Sequence, residues 1–414
     1  MLIPVYKPKI KTSQPITKTV VTWPEDSSLQ LQDCFQRTIW DVFYDLDIET
    51  YTSAVLCYIK TCIENVTLTK RIRVFPNRKP WMTKEVQLLL NERNAAFYSG
   101  DSERYRVARR DLKKGIKRAK AAQKGRIEEH FSTRDPAQMW HGIQQITNYR
   151  GNRTVSTDGS ISRAEELNHF FARFEVTETE QTFAAVADQP LALREHEVQQ
   201  MFRSVNVRKA GGPDGIPGRV IKSCAYQLAQ VFTKIFNLSL ALATVPTCLK
   251  TAIIIPVPKQ LNITCLNDYR PVTLTSVVTK CLERLILKHI KARLPADLDP
   301  YQFAYRAHRS TEDAIITALH TVLQHLDQKG TYARLLFIDY SSAFNTIVPS
   351  RLIMKLLNLG LSSSLCMWIR DFLTKRPQAV RLGQHLSSTV TLSTGAPQGC
   401  VLSPLLYSLY TVDL

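Results

Sequence analysis

The stretch LLFIDYSSAFNTI, residues 335–347, decides the fold prediction. It begins with a continuous apolar run, Leu335 to Ile338, which is typical of a strand buried on both faces. Asp339 follows where this predicted strand ends, and its carboxylate oxygens suit a hard cation such as Mg²⁺. Aspartate is also common in turns after strands. The stretch therefore predicts a metal ligand only together with other motifs.

A second segment, residues 252–286, predicts a strand, a polar turn, another strand and a helix. Lys259 follows the first predicted strand, and Arg270 stands at the start of the second. Two such cations can hold a triphosphate, Arg through planar bidentate hydrogen bonds and Lys as a point charge. The alternative is a surface hairpin whose basic residues are incidental.

A third segment, STGAPQGCVLSPLLYSLYT, occupies residues 393–411. Gly395 and Gly399 lie on either side of Gln398, and glycine permits a close approach of the backbone to a ligand. The Ser403-Pro404 pair then predicts the first turn of an apolar helix, because proline is favoured there. Upstream, GGPDG at residues 211–215 predicts a turn. The helix expected after that turn has apolar positions at Leu228, Val231 and Phe232.

Residues 80–150 predict long helices, the first with Thr83 as its N-cap. Residues 103–126 contain eleven Lys or Arg and two acidic residues, a net charge of +9. Apolar residues three to four positions apart form one stripe on this helix: Tyr105, Ala108, Leu112, Ile116 and Ala119. The basic face is either simply solvated or a nucleic-acid-binding surface that displaces counterions from phosphates. The candidate residues for that surface are Arg109, Arg110, Lys113, Lys114, Lys117 and Arg118.

Composition favours a polyanionic partner. The formal net charge is +18 over 414 residues, which attracts nucleic acid. No apolar stretch has the length of a membrane span or a secretory signal, so we expect no membrane association. The nine cysteines are scattered without any CxxC, which favours reduced thiols in the nucleus or the cytoplasm.

The order of the motifs adds a resemblance. GPDGIP, IPVPK with YRPVTLT, FIDYSSAFNTI and GAPQGCVLSP follow one another in this sequence. In that order they resemble the blocks of the reverse transcriptase polyprotein of LINE-type (non-LTR) retrotransposons. FAYRAHRSTEDAI, NRKPWMTKEV and MWHGIQQITNYRG are also similar to segments of these elements. The resemblance covers nearly the whole chain and is strongest from residue 205 to 408.

The resemblance implies an α+β fold with the fingers and part of the palm of a right-hand polymerase, after a mainly helical N-terminal region. It implies RNA-directed DNA synthesis with an RNA template, a DNA primer, dNTPs and two Mg²⁺ ions. Asp339 matches the first metal-binding catalytic carboxylate, and Lys259 and Arg270 match residues that hold the triphosphate. Phe344 matches the gate that excludes a 2′-hydroxyl. Gln398, with Gly399 beside it, matches the block that contacts the nucleotide.

The resemblance also implies a division into four parts. Residues 1–79 are expected to be a linker that follows a lost endonuclease, and residues 80–150 a basic helical region. Residues 151–194 are expected to be a second linker, interrupted by a helix. Residues 195–414 are expected to be the reverse transcriptase domain, cut off before its second aspartate block. The oligomeric state is left open.

Two departures from the family pattern bear on activity. Asn345 stands where many relatives have aspartate, at a position that is not the essential metal ligand. The 414 residues contain no adjacent pair of aspartates, so we expect the polypeptide to be inactive as a polymerase. The competing hypothesis is a non-catalytic nucleic-acid-binding protein. Phe344 and GAPQG argue against a viral RNA-dependent RNA polymerase, and the upstream segments argue against a mobile-intron maturase.

Overall fold

The computed structural model describes residues 16–74, 79–132, 139–140, 142–143, 160–175, 188–260, 263–295, 298–340 and 342–412. The strands are β1 Ile16–Thr22, β2 Leu68–Val74, β3 Ala252–Pro258, β4 Tyr269–Leu274, β5 Arg376–Leu382, β6 His385–Leu386 and β7 Val390–Leu392. The helices are α1 Ser27–Arg37, α2 Ile48–Val66, α3 Lys84–Tyr98, α4 Ser102–Ser132, α5 Ile161–Ala172, α6 Glu195–Arg203, α7 Gly218–Ser223, α8 Ala225–Ala241, α9 Thr247–Lys250, α10 Val277–Arg293, α11 Thr311–Leu326, α12 Pro349–Asn358, α13 Ser363–Leu373 and α14 Ser403–Tyr410. Within these ranges no helix is both long and apolar enough to cross a membrane.

The chain forms two compact units. The first comprises Met1–Thr22 and Thr69–Val155, and the second comprises Trp23–Leu68 and Ser156–Leu414. The second unit therefore contains α5, which lies in the part of the sequence expected to be a linker. The four-part division made from the sequence follows the family resemblance rather than contacts, and it stays a prediction.

The first unit contains the β1–β2 sheet and the helices α3 and α4. The predicted N-cap of α3 is confirmed, because the Thr83 hydroxyl oxygen accepts a hydrogen bond from Val86 N at 3.3 Å. The helices pack closely at Gly115, where an added Cβ would lie 2.4 Å from Leu89 Cδ1. Leu112 is buried in the predicted apolar stripe of α4. The stripe therefore faces α3, and the basic side chains of α4 are left exposed.

Aromatic and aliphatic helix faces form the core of the second unit. The predicted helix through Leu228, Val231 and Phe232 is confirmed as α8, and these three side chains are fully buried. Phe232 meets Phe202 of α6 edge to face at a centroid distance of 5.6 Å. Trp368 of α13 donates a hydrogen bond through its indole N–H to a hydroxyl of α8 at 2.9 Å. The buried indole thus has its polar partner within the core.

The sheet of the second unit has the strand order β4-β3-β5-β6, with β7 also paired to β5. The strands β3 and β4 form the predicted antiparallel hairpin, in which Val257 pairs with Arg270. The strand β5 runs parallel to β3, with Ile253 opposite Ala379. The helix α5 packs against β5, so this sheet has a helical cover on one face. Helices and a mixed sheet confirm the predicted α+β class.

One structural prediction is wrong. Leu335 to Ile338 do not form a buried strand: they have no regular secondary structure, and their exposed fractions run from 54% to 86%. An apolar run becomes a buried strand only when a neighbouring strand satisfies its backbone hydrogen bonds. No strand among the described residues pairs with this run. The preceding helix α11 also has no packing partner that buries it, since none of its residues is buried.

Candidate functional site

A cleft in the second unit brings together residues that are far apart in the sequence. Its volume is about 210 Å³, whereas the neighbouring cavity beside Arg376 measures about 30 Å³ and has room for little more than a water molecule. Four of the predicted nucleotide-binding residues line the larger cleft: Lys259, Arg270, Phe344 and Gln398. The rest of the lining consists of Phe170, Phe171, Arg173, Asn267, Tyr269, Pro271, Ser342, Ala343 and Asn345.

The β3–β4 hairpin supplies the two predicted cations. Its connection is closed by a 2.7 Å hydrogen bond from Lys259 N to Asp268 O. The Asp268 carboxylate accepts further bonds from Thr264 N and Cys265 N at 2.8 and 3.0 Å. These backbone hydrogen bonds lower the pKa of Asp268 to about 2, so the carboxylate remains charged and keeps the turn closed. Lys259 directly follows β3 and Arg270 lies in β4, and both side chains are exposed.

Phe344 forms another part of the cleft wall, in the 3₁₀ helix Ala343–Thr346. The ring is half-buried and packs between Tyr305 and Tyr407, at centroid distances of 6.3 and 5.2 Å. Its carbonyl accepts a hydrogen bond from Ala396 N at 2.7 Å. The ring and the backbone are thus both held, and this is what a side chain that limits the shape of a ligand requires.

Gly395 joins this wall to the loop that carries Gln398. Gly395 N donates to Ile347 O at 2.7 Å, and its φ of 76° is in the left-handed region that favours glycine. An added Cβ would lie 2.8 Å from the backbone of Asn345. No larger residue fits without displacing that backbone, so glycine here permits a close approach to the backbone of Asn345 rather than to a ligand, which was the reason predicted from the sequence.

The loop from Pro397 to Gly399 is tied to β4. The Gln398 carbonyl accepts a hydrogen bond from Thr273 N at 3.1 Å. Gly399 has a φ of 109° and passes so near to β4 that an added Cβ would lie 3.3 Å from Thr273 O. The Gln398 side chain is exposed towards the cleft, whereas the glycine serves the close approach to β4 and is not among the lining residues.

Two buried charged residues that hold this loop were not recognised from the sequence. Glu283 of α10 accepts hydrogen bonds from Val401 N and Leu402 N at 2.6 and 2.9 Å, and burial raises its pKa to about 7. Arg376 of β5 donates to the carbonyls of Leu373, Thr394 and Gly395 at 2.6 to 3.0 Å. Burial lowers the pKa of Arg376 to about 10, which leaves it charged at neutral pH. Because charged residues are usually exposed, the sequence alone gives no reason to expect these two in the core.

Asp339 is not brought into the cleft. It lies on the exposed segment before Phe344 and is not among the lining residues. The described part of the chain contains no group of three or more His, Cys, Asp or Glu side chains that could hold a metal ion. A two-metal site needs several oxygen ligands. The described residues therefore do not fit such a site by themselves.

The six predicted nucleic-acid-binding residues lie on α4 of the first unit, and all are exposed. Arg110 and Arg118 form ion pairs, with Asp111 at 3.6 Å and with Glu85 at 3.3 Å. In the described residues no carboxylate pairs with Arg109, Lys113, Lys114 or Lys117. These four cations are therefore available to an external anion.

Residues 257–414 match the family described as "Reverse transcriptase (RNA-dependent DNA polymerase)". Over these residues the chain belongs to the reverse transcriptase family, and its homologues are RNA-directed DNA polymerases of LINE-type non-LTR elements. Members of this family generally use divalent metal ions.

The chain is similar to several proteins of mobile elements. It is 30% identical over 288 residues to the "RNA-directed DNA polymerase from mobile element jockey" of Drosophila funebris, covering 68% of this chain and 30% of that protein. It is 28% identical to the "Probable RNA-directed DNA polymerase from transposon BS" of Drosophila melanogaster, covering 61% of this chain and 29% of that protein. It is 26% identical to the "Retrovirus-related Pol polyprotein from type-1 retrotransposable element R1" of Bradysia coprophila, covering 64% and 26%. The chain thus spans less than a third of the length of these relatives.

Proposed function

We propose that the second unit contains the fingers and part of the palm of an RNA-directed DNA polymerase, and that its cleft binds the incoming dNTP. The main support for this proposal is that one cleft is lined by four residues: Lys259, Arg270, Phe344 and Gln398. These residues come from three separate sequence motifs, and none of the described residues that line the cleft is a carboxylate. A cleft with cations, an aromatic ring and an amide is suited to a phosphorylated, flat-ringed ligand.

In this proposal each element of the site has a separate task. Lys259 and Arg270 hold the triphosphate, and the ring of Phe344 closes the space beneath the sugar so that a 2′-hydroxyl would clash. Gln398 contacts the nucleotide from the loop that Thr273 holds in place. An RNA template and a DNA primer are the partners, and the protein acts in the nucleus or the cytoplasm.

Asp339 would supply one carboxylate for Mg²⁺, and the described residues contain no group of three or more His, Cys, Asp or Glu side chains that could hold the ion. Most of the rate enhancement in phosphoryl transfer comes from positioning and charge stabilisation by the metal ions. We therefore propose that the 414-residue polypeptide binds nucleotide and nucleic acid but does not extend a primer by itself.

Binding of a fluorescent dTTP analogue to the 414-residue polypeptide tests the cleft. Arg270→Gln should weaken binding about ten-fold or more, because a hydrogen bond to a charged group contributes roughly 1.5–3 kcal/mol. Arg293→Gln, at an exposed position near the end of α10, is the matched control and should bind as the wild type does. Equal affinities for the wild type and Arg270→Gln would contradict the assignment of the cleft.

Primer extension tests whether the 414-residue polypeptide lacks polymerase activity by itself. The reaction contains poly(rA), oligo(dT), dTTP and Mg²⁺, with Asp339→Ala as the comparison. We expect no extension from either protein. Extension by the wild type that is lost in Asp339→Ala would show that another carboxylate completes the metal site.

The second candidate function is a nucleic-acid-binding protein without nucleotide binding. The exposed unpaired cations of α4 favour it, because they are available to phosphates whether or not the cleft is used. The two candidates differ in the dTTP titration. Binding of an RNA–DNA duplex without any binding of dTTP would favour this second candidate.

A further inference from the structure

The cleft has a third cation that the sequence motifs do not include. Arg173 directly follows α5 and lines the cleft together with Lys259 and Arg270. It lies in residues 151–194, which were expected to be a linker. The helix expected within that linker is α5, and it packs against the sheet that carries the cleft.

Buried hydrogen bonds fix α5 on that sheet. The Asn168 side chain is fully buried and donates to Ser387 Oγ at 3.1 Å and to Ser388 O at 2.9 Å. Its carbonyl oxygen accepts a bond from Gln378 Nε2 at 3.0 Å. Because these hydrogen bonds are buried and would be lost if α5 moved, they hold the helix in one position on the sheet. Arg173 is therefore held at the cleft by tertiary contacts rather than by a flexible connection.

The guanidinium group of Arg173 is itself oriented. Its Cζ lies 3.6 Å from the ring centroid of Phe170 and 4.2 Å from that of Phe174. Its Nη1 donates to the Phe170 carbonyl at 2.5 Å. Stacking on two rings holds the planar group, while its other N–H groups remain available for bidentate contact with an anion. Among the described residues no carboxylate forms an ion pair with Arg173.

We propose that Arg173 binds the triphosphate of the incoming nucleotide as the third cation of the cleft. The proposal rests on the proposed function of the cleft and adds a residue to it. The described lining of this one cavity includes three cations and no carboxylate, so its charge matches a compact polyanion. A nucleic-acid backbone would instead favour cations spread along an extended groove.

The test compares Arg173→Gln with Arg163→Gln in equilibrium titrations of the 414-residue polypeptide. Arg163 lies in the first turn of α5, pairs with Glu166 at 2.6 Å and is not among the cleft residues. The probes are a fluorescent dTTP analogue, inorganic tripolyphosphate as its competitor, and an RNA–DNA duplex. Arg173→Gln should bind dTTP and tripolyphosphate about ten-fold or more weakly. Arg163→Gln should bind both as the wild type does, and duplex affinity should be unchanged in both variants.

The outcomes separate this inference from the proposed function. If the wild type does not bind dTTP, the nucleotide function of the cleft is wrong, and this inference falls with it. If the wild type binds and Arg173→Gln binds equally well, only the role of Arg173 is wrong. Loss of duplex binding with unchanged tripolyphosphate binding would also overturn it, because Arg173 would then contact the nucleic-acid backbone.

Arg173→Lys covers the case in which the glutamine variant loses stability. Lysine keeps the charge but loses the planar stack on Phe170 and Phe174, so tripolyphosphate affinity should lie between those of the wild type and Arg173→Gln. Melting temperatures of both variants show whether the fold is intact. A folded Arg173→Lys that binds tripolyphosphate no better than Arg173→Gln would contradict a role based on charge.

Discussion

The buried carboxylate of Glu283 accepts a hydrogen bond from the backbone N–H of Leu402 at 2.9 Å, although 119 residues separate the two in the chain. The same oxygen accepts a second bond from Val401 N. Leu402 lies just before α14, and Gln398 lies four residues earlier in the loop that borders the cleft. Glu283 thereby connects α10 in the core to the loop that carries Gln398.

Glu283→Ala should destabilise the protein and disturb this loop. The substitution leaves two backbone N–H groups without their acceptor, which costs about 2–4 kcal/mol of the free energy of unfolding. Urea denaturation measures that change, and the dTTP titration should show weaker binding because Gln398 is displaced. The exposed Glu312→Ala is the control and should change stability by less than about 0.5 kcal/mol. Equal unfolding midpoints for the two variants would exclude this role of Glu283.

The raised pKa of Glu283 predicts a pH dependence of stability. Burial raises it from an ordinary value of 4.5 to about 7, against the opposing effect of the two N–H groups and of Lys280 and Arg284. Between these two pH values the folded state binds a proton that the unfolded state has lost. The stabilising contribution of this proton to the free energy of unfolding is complete below about pH 4.5. It is lost as the pH rises through about 7, at about 1.4 kcal/mol for each pH unit.

Glu283→Gln isolates this contribution, because glutamine does not titrate. The free energy of unfolding of the wild type, measured in urea at several pH values, should fall relative to that of the variant between pH 5 and 7. Above pH 7 the difference should become constant. A difference that stays constant from pH 5 to 7 would mean that Glu283 is ionised in the folded protein throughout this range.

The sequence predicted the β3–β4 hairpin, the N-cap at Thr83 and the helix α8 because local signals specify them. A run of apolar residues, apolar residues at helical spacing or a capping hydroxyl acts over a few positions. The run from Leu335 to Ile338 was predicted as a buried strand on the same kind of signal. Burial there depends on a partner strand, which a local pattern does not specify.

The same distinction applies to the candidate site. Lys259, Arg270, Phe344 and Gln398 were found because each belongs to a motif of the family, and their roles stay predictions. Arg173 belongs to no motif, and its place at the cleft follows from tertiary contacts of α5. Residues brought to a site only by packing give no signal in one sequence.

Gly395→Ala should disrupt the cleft by steric conflict. The φ of 76° is unfavourable for alanine by about 1–2 kcal/mol, and the added Cβ would lie 2.8 Å from the Asn345 backbone. That backbone must move, and with it the turn that carries Phe344. Gly360→Ala is a matched control, because its φ is 81° and nothing lies within 4 Å of an added Cβ. We expect Gly395→Ala to lose at least about 1 kcal/mol more in urea unfolding, and also to lose dTTP affinity. Equal costs for both variants would show that only the backbone conformation matters.

Substitutions on α4 should lower the salt dependence of nucleic-acid binding. Lys113 and Lys117 are one turn apart on its exposed face, and no carboxylate of the described residues pairs with them. Each cation that contacts a phosphate releases counterions, so its removal reduces the slope of log K against log salt by about 0.7–0.9.

The double variant Lys113→Gln/Lys117→Gln should therefore bind an RNA–DNA duplex more weakly at low salt, with a slope reduced by about 1–2. Binding is measured by fluorescence anisotropy at several NaCl concentrations. The control is Lys288→Gln/Lys291→Gln, which removes the same charge from exposed positions on α10. A larger reduction for the α4 pair assigns the effect to that face. The same reduction for both pairs would mean that the net charge of +18, rather than a particular surface, attracts the duplex.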